Sequence, residues 1–158
     1  MKKLIATLMV LCLLCASCAA MADMEIPTFD SMPAVVLEDE NITVDEAAFQ
    51  GEWVLNVAFA GTDYVYESEL AGTYDFNFMP YTIADGKVMQ DVQHENGEFE
   101  TVEMPYIFDA GQLQGKDANG RDFVIELLED GNLVMSTFFP GEGDEVICLS
   151  VFLVHPAE

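Results

Sequence analysis

From residue 46 onward, apolar and polar positions alternate in short runs closed by turn residues, the pattern of half-buried antiparallel strands. Phe123, Ile125 and Leu127 fall on one face of such a run, with Val124, Glu126 and Leu128 on the other. Leu133, Met135 and Phe139 alternate in the same way with Val134, Ser136 and Phe138. Asp130-Gly131 lies between the two runs, so they are expected to pair as a hairpin. Turn signals recur at Gly86, Gly97, Gly111, Gly120, Gly131 and Gly141, with spacings of 9 to 14 residues. That cadence predicts strands at 51–59, 74–78, 80–84, 87–94, 98–107, 112–115 and 121–128, and two more beginning at 132 and 145. A meander of roughly eight strands removes its exposed edges by closing. The expected fold class is therefore all-β, an antiparallel meander closing into a roughly eight-stranded barrel with at most one short helix. That helix is placed at 62–71, with Thr62 or Asp63 as N-cap and Gly72 beyond its end.

Two details refine this pattern. Val146 to Val154 is almost wholly apolar, so it must be covered on both faces. Met79 to Val88 aligns with Met104 to Leu113 at an offset of 25 residues, each copy running Met-Pro-Tyr, an apolar residue, Gly and an apolar residue. Each copy reads as one strand entered through Pro and closed by a Gly turn, because Pro lacks a ladder donor and suits the start of a strand.

Residues 1–22 have the three parts of an export signal: Lys2 and Lys3, an apolar run from Leu4 to Cys15 broken by Thr7, then small residues. The run is too short to anchor stably in a bilayer. Two ends are open to it. Ala20-Met21-Ala22 ahead of Asp23 is an A-x-A site, whose cleavage releases a soluble product. Alternatively, Cys15-Ala16-Ser17-Cys18 resembles a bacterial lipoprotein box, in which Cys18 is lipidated, although Cys15 stands where the box usually has Leu. The expected location is outside the cell, either secreted or lipid-anchored at the bacterial surface, with membrane contact only if Cys18 carries the lipid. Residues 23–45 are acidic, contain Pro27 and Pro33 and show no sustained period; they read as a flexible arm in which Ala34 to Leu37 pack or pair locally. Residues 46–158 form the barrel domain.

Charge narrows the partners. The chain carries 29 acidic and 5 basic residues, a net of −24, and two of the basic ones lie in the signal. Phosphate backbones repel such a surface, so nucleic acid is excluded as a partner. Self-repulsion of this size also predicts that screening by salt stabilises the fold. With Cys12, Cys15 and Cys18 in the signal, Cys148 stands alone in a released product; it reads as a buried small hydrophobe.

Ala48-Phe49-Gln50-Gly51-Glu52-Trp53-Val54-Leu55 resembles the opening of the calycins, in which a Gly-x-Trp begins the first strand of lipocalins and a Phe-x-Gly-x-Trp-x-Leu opens fatty-acid-binding proteins. The later stretch from Tyr106 to Leu133 is similar to small bacterial lipocalin-like domains. The resemblance covers about residues 46–155, and only Gly51 and Trp53 are specific to it. It implies a barrel in which Gly51 turns the chain in and Trp53 plugs the base. It also implies a basic residue on the last strand against the tryptophan, yet Val146 to Val154 holds neither Arg nor Tyr, and His155 is read as lying at the wrong end. Lys87, Lys116 and Arg121 are the only basic side chains after the signal, the last two beside turns, so a neutral apolar ligand is expected in place of an anionic lipid.

No catalytic constellation is found. His94 and His155 are the only histidines, neither in a recognisable motif, and the carboxylates show no acid and base couple. Asp117-x-Asn119-Gly120-x-Asp122 loosely resembles a calcium loop but lacks its spacing and closing Glu; an Asn-Gly turn is the expectation. Glu142, Asp144 and Glu145 cluster at another turn. No metal site and no cofactor are expected, and no enzymatic activity. The function expected is that of an exported lipocalin-like barrel holding or carrying a small apolar ligand. The alternative is a secreted or surface β domain with a solid core, acting through protein or cell-wall contacts.

Overall fold

The computed structural model describes residues 26–76, 78–93, 97–141, 143 and 145–157, so the signal, Cys18, His94, Glu142 and Asp144 lie outside the described residues. The strands run in chain order: β1 (Gly51–Ala60), β2 (Asp63–Tyr64), β3 (Tyr81–Ala84), β4 (Lys87–Gln93), β5 (Phe99–Asp109), β6 (Gln112–Lys116), β7 (Asp122–Leu127), β8 (Leu133–Pro140) and β9 (Val146–Val154). Every pairing is antiparallel, and β1 pairs with both β3 and β9. Eight strands thus close on themselves, leaving the two-residue β2 as an addition to the end of β1. The all-β meander expected from the alternation is the fold observed.

Three local expectations change. The expected strand at 74–78 is absent among its described residues: Asp75 takes a positive φ of 51°, and Phe76 N–H bonds to the Leu70 carbonyl instead of a ladder partner. The helix, α1, spans only Glu67–Gly72, because Asp63 and Tyr64 pair with Ala60 and Phe59 first, Tyr being a better strand former than helix former. Pro105 does not start a strand. It sits inside β5, where pairing to β4 over Phe99–Pro105 gives way to pairing with β6 over Tyr106–Asp109. A residue without an N–H fits such a handover. Gly115 allows the handover to be tight, since a Cβ there would lie 2.6 Å from the Pro105 carbonyl oxygen and 2.7 Å from the Phe123 ring.

The barrel has two unlike ends. Gly51, the turns at 85–86, 110–111 and 129–131, and the end of β9 gather at one, which the 3-10 turn Glu46–Phe49 covers. The described residues of the connections at 61–62, 73–76, 78–80 and 117–120, with 141, 143 and 145, gather at the other. Inward residues on all eight barrel strands join one cluster that includes Phe49, Trp53, Ile83, Val88, Leu113, Ile125, Leu133, Val151 and Leu153. Val65, Leu70 and Tyr74 enter the same cluster from the connection around α1, Val65 bonding back to the Ala58 carbonyl of β1 and Tyr74 packing against Phe139 of β8.

A bulge between Leu55 and Val57 reverses the alternation of β1. Trp53 and Leu55 face inward before it; after it Ala58 and Ala60 do, and Phe59 turns outward into a second cluster with Leu128, Val134 and Phe152. Residues 29–36 lie over that outer cluster. Phe29 meets Phe59 and Phe152 edge-on at ring separations of 5.5 and 6.3 Å, and Val35 bridges to Leu128. This segment is the outer cover that the apolar run of β9 requires, and the Val36 N–H bonds to the Leu127 carbonyl, a partner distant in the chain.

Candidate functional site

At the covered end, Gly51 has a φ of 129°, which an L side chain rarely adopts, and it turns the chain from the 3-10 turn into β1. Trp53 is fully buried and donates its indole N–H to the Phe49 carbonyl at 2.9 Å. The antiparallel register of β1 on β9, Val54 opposite Val154, carries His155 over the indole, where the rings stack at 3.8 Å. The reading that placed His155 at the wrong end is therefore corrected: counting within one strand does not reveal that the end of β9 returns to the start of β1. The His155 Nδ1 also lies 3.2 Å from the Glu52 carbonyl. Nearby, the Tyr106 hydroxyl donates to Glu46 at 2.8 Å and accepts from Gln50 at 3.0 Å, tying the 3-10 turn to β5. This end is a packed plug.

The other end is a mouth. A cavity of about 490 Å³ opens there, with an apolar wall of Phe76, Met79, Val92, Val102, Met104 and Met135. Polar groups share that wall: Tyr81, Gln90, Gln93 and Thr137 from the strands, and Asp75, Asp117, Asn119 and Arg121 at the rim. Gln90 is buried and donates to the Met79 carbonyl at 2.8 Å. Tyr81 is buried against it; desolvation, only partly offset by the bond from Gln90, pushes its hydroxyl well above the ordinary phenol value and keeps it neutral. Thr137 is fully buried, and its Oγ1 is the one buried side-chain polar atom without a hydrogen-bond partner among the described residues.

Arg121 spans the rim. Its Nε donates to Asp117 at 2.5 Å, its guanidinium lies 4.3 Å over the Phe139 ring, and an Nη1 bond of 3.5 Å reaches the Tyr74 carbonyl. Phe139 in turn packs edge-on against Tyr74 at 5.2 Å. Arg121, read from the sequence as a turn-side residue, is thus part of the cavity wall, although its charge is already matched. Lys87 pairs with Glu103 and Lys116 with Asp122, so each of the three described cations has a carboxylate partner.

Asp117 is committed to its turn, its Oδ1 accepting from the Asn119 and Arg121 N–H groups at 2.9 Å each. The loop that loosely resembles a calcium site is built as an Asx-type turn. Among the described residues no group of three potential metal ligands comes together. Cys148 is half-buried on the outer face of β9, its sulfur 3.8 Å from the Ser150 hydroxyl, and is not the fully buried core residue expected. The run containing it is apolar, but period-two alternation turns Cys148 away from the interior.

Thr137, Gln90 and Tyr81 were not singled out by sequence reasoning. A signal existed: Thr137 occupies the inward register of β8 between Met135 and Phe139, and Gln90 that of β4 beside Val88. A polar residue in an otherwise apolar register is the mark of a polar group placed inside a barrel. Fold and site together define an antiparallel eight-stranded closed barrel with one added strand, plugged at one end and hollow at the other, an architecture consistent with the lipocalin-like type. No protein-family model matches the chain, and a comparison with curated proteins finds no match either.

Proposed function

We propose that the chain is an exported barrel of the lipocalin-like type that holds or carries one small, uncharged, largely apolar ligand in its mouth cavity and performs no chemistry on it. The observation that carries this reading is the cavity itself. Its 490 Å³ falls within the roughly 300–1,000 Å³ typical of small-molecule sites, and aliphatic, thioether and aromatic side chains make up about half of its wall. Met104 and Met135 suit such a role because an unbranched thioether adapts to the shape of its guest. Uncharged cargo is favoured because all three described cations are matched and the chain carries a net charge of −24, which opposes the entry of anions.

The test is a titration of the folded 23–158 chain with a neutral fluorescent apolar probe. Saturable uptake near one probe per chain is the expected result; a folded sample showing none overturns the carrier reading in favour of a solid domain. Export is tested separately, by the intact mass of the product made in a bacterial host. A chain beginning at Asp23 marks a released protein and one beginning at a lipidated Cys18 an anchored one. Retention of residues 1–22 in the mature product overturns both.

A further inference from the structure

Resting on the carrier reading, we infer that the ligand is an amphiphile: an uncharged molecule whose apolar body lies on Val102, Met104 and Met135 and whose single hydroxyl, carbonyl or amide group bonds to Thr137 Oγ1. Thr137 lies in the wall of the mouth cavity on β8, with Met135 and Phe139 on either side in the same inward register. It is fully buried, and no protein group satisfies its hydroxyl. A buried hydroxyl left without a partner costs on the order of a lost hydrogen bond, and such groups are rare in folded proteins. Valine has nearly the same shape and would fill this position without that cost, so the hydroxyl gains its advantage when something in the cavity pairs with it.

The surroundings select the partner's chemistry. β4 and β8 stand diametrically opposite in the closed ring of eight, so Gln90 and Tyr81 form a polar patch on the wall facing Thr137. That patch is internally bonded through Gln90, which ties it to the Met79 carbonyl. Thr137 is therefore the unpaired polar position of the wall, able to donate or accept. A carboxylate is disfavoured there, because the cation of the cavity wall, Arg121, is held by Asp117. A hydroxyl rejects an isosteric hydrocarbon when the site's polar group would otherwise stay unpaired, which is the usual source of such discrimination.

The experiment uses three naphthalenes substituted at the same ring position with a hydroxyl, a methyl or a carboxylate. Each is titrated by its own fluorescence against wild type, Thr137→Val and Thr137→Ser. In wild type the ratio of the methyl to the hydroxyl dissociation constant is expected to exceed that in Thr137→Val by about five- to tenfold. Taking a ratio of ratios cancels the intrinsic difference in hydrophobicity between the two probes. Thr137→Ser keeps the wild-type preference, and Thr137→Val remains folded because it is close to isosteric. If both neutral probes bind saturably and the ratio is the same in all three proteins, the carrier reading stands and this inference is overturned. If naphthoate binds as tightly as naphthol, the uncharged class is overturned. If no probe binds wild type, the carrier reading itself has failed.

Discussion

The plugged end and the mouth of this barrel are made by the same strands and the same alternation, yet one is filled and the other hollow. At the plugged end, large rigid side chains meet: Phe49 and Trp53 are fully buried, Phe108 packs against Phe49 at 6.1 Å, and His155 covers the indole. At the mouth, the inward positions of β1 are Ala58 and Ala60, those of β4 and β8 include Gln90 and Thr137, and methionine supplies much of the remaining wall. The comparison teaches that stability and binding are divided along the barrel axis. The end closed by the buried indole and its 3-10 turn holds the sheet together, which lets the other end keep space and an unsatisfied polar group.

The largest expected effect is at the plug. Trp53→Ala removes a fully buried indole together with its hydrogen bond to Phe49, and should cost about 3–5 kcal/mol by urea denaturation. A loss below about 1 kcal/mol would mean that closure does not depend on this end. At the mouth the balance should invert. Val102→Trp places bulk into the cavity, so probe affinity should fall by at least about tenfold while the urea midpoint moves by less than about 1.5 kcal/mol equivalent. Equal damage to both quantities would erase the distinction between the two ends.

His155→Ala sharpens the comparison on a smaller scale. Loss of the 3.8 Å stacking should lower stability by about 1 kcal/mol and leave probe affinity unchanged. A change in affinity would show that the ends communicate. The smallest effect concerns pH. Tyr81 has a folded pKa raised above its unfolded value of about 10, so its contribution is fully present below that value and drains away as pH rises through it towards the folded one. Comparing urea midpoints at about pH 9 and about pH 11, wild type should lose more than Tyr81→Phe, which has no phenol to ionise. Identical losses would show that Tyr81 is not held neutral by burial.

Much of the barrel was readable because its signals are local. Alternation from Phe123 to Phe139 located β7 and β8, the Gly turns located the connections, and Gly51 with Trp53 located the entry. What escaped depends on partners distant in the chain. The segment 74–78 carries strand-forming aromatics, yet Tyr74 packs against Phe139 of β8 and Phe76 against Tyr81 of β3, contacts with residues outside the segment's own run. Arg121 looked like a turn residue because the rim that it spans is assembled from its own turn, the connection holding Tyr74 and Phe139 of β8. Thr137 was passed over within its own strand, where a single hydroxyl hardly disturbs an alternating pattern.

Sequence alone determined that this chain is an acidic, all-β meander, since pleat periodicity, turn residues and net charge are properties of neighbouring or summed positions. Tertiary structure decided that Phe59 faces out under Phe29 while alanines face in, that His155 lies on Trp53, and that Thr137 lies in a cavity wall across the barrel from Gln90. Each of these follows from the pairing of β1 with β9 and from the bulge in β1, and the closure of a ring is a relation between its first and last strands that no local run of residues encodes.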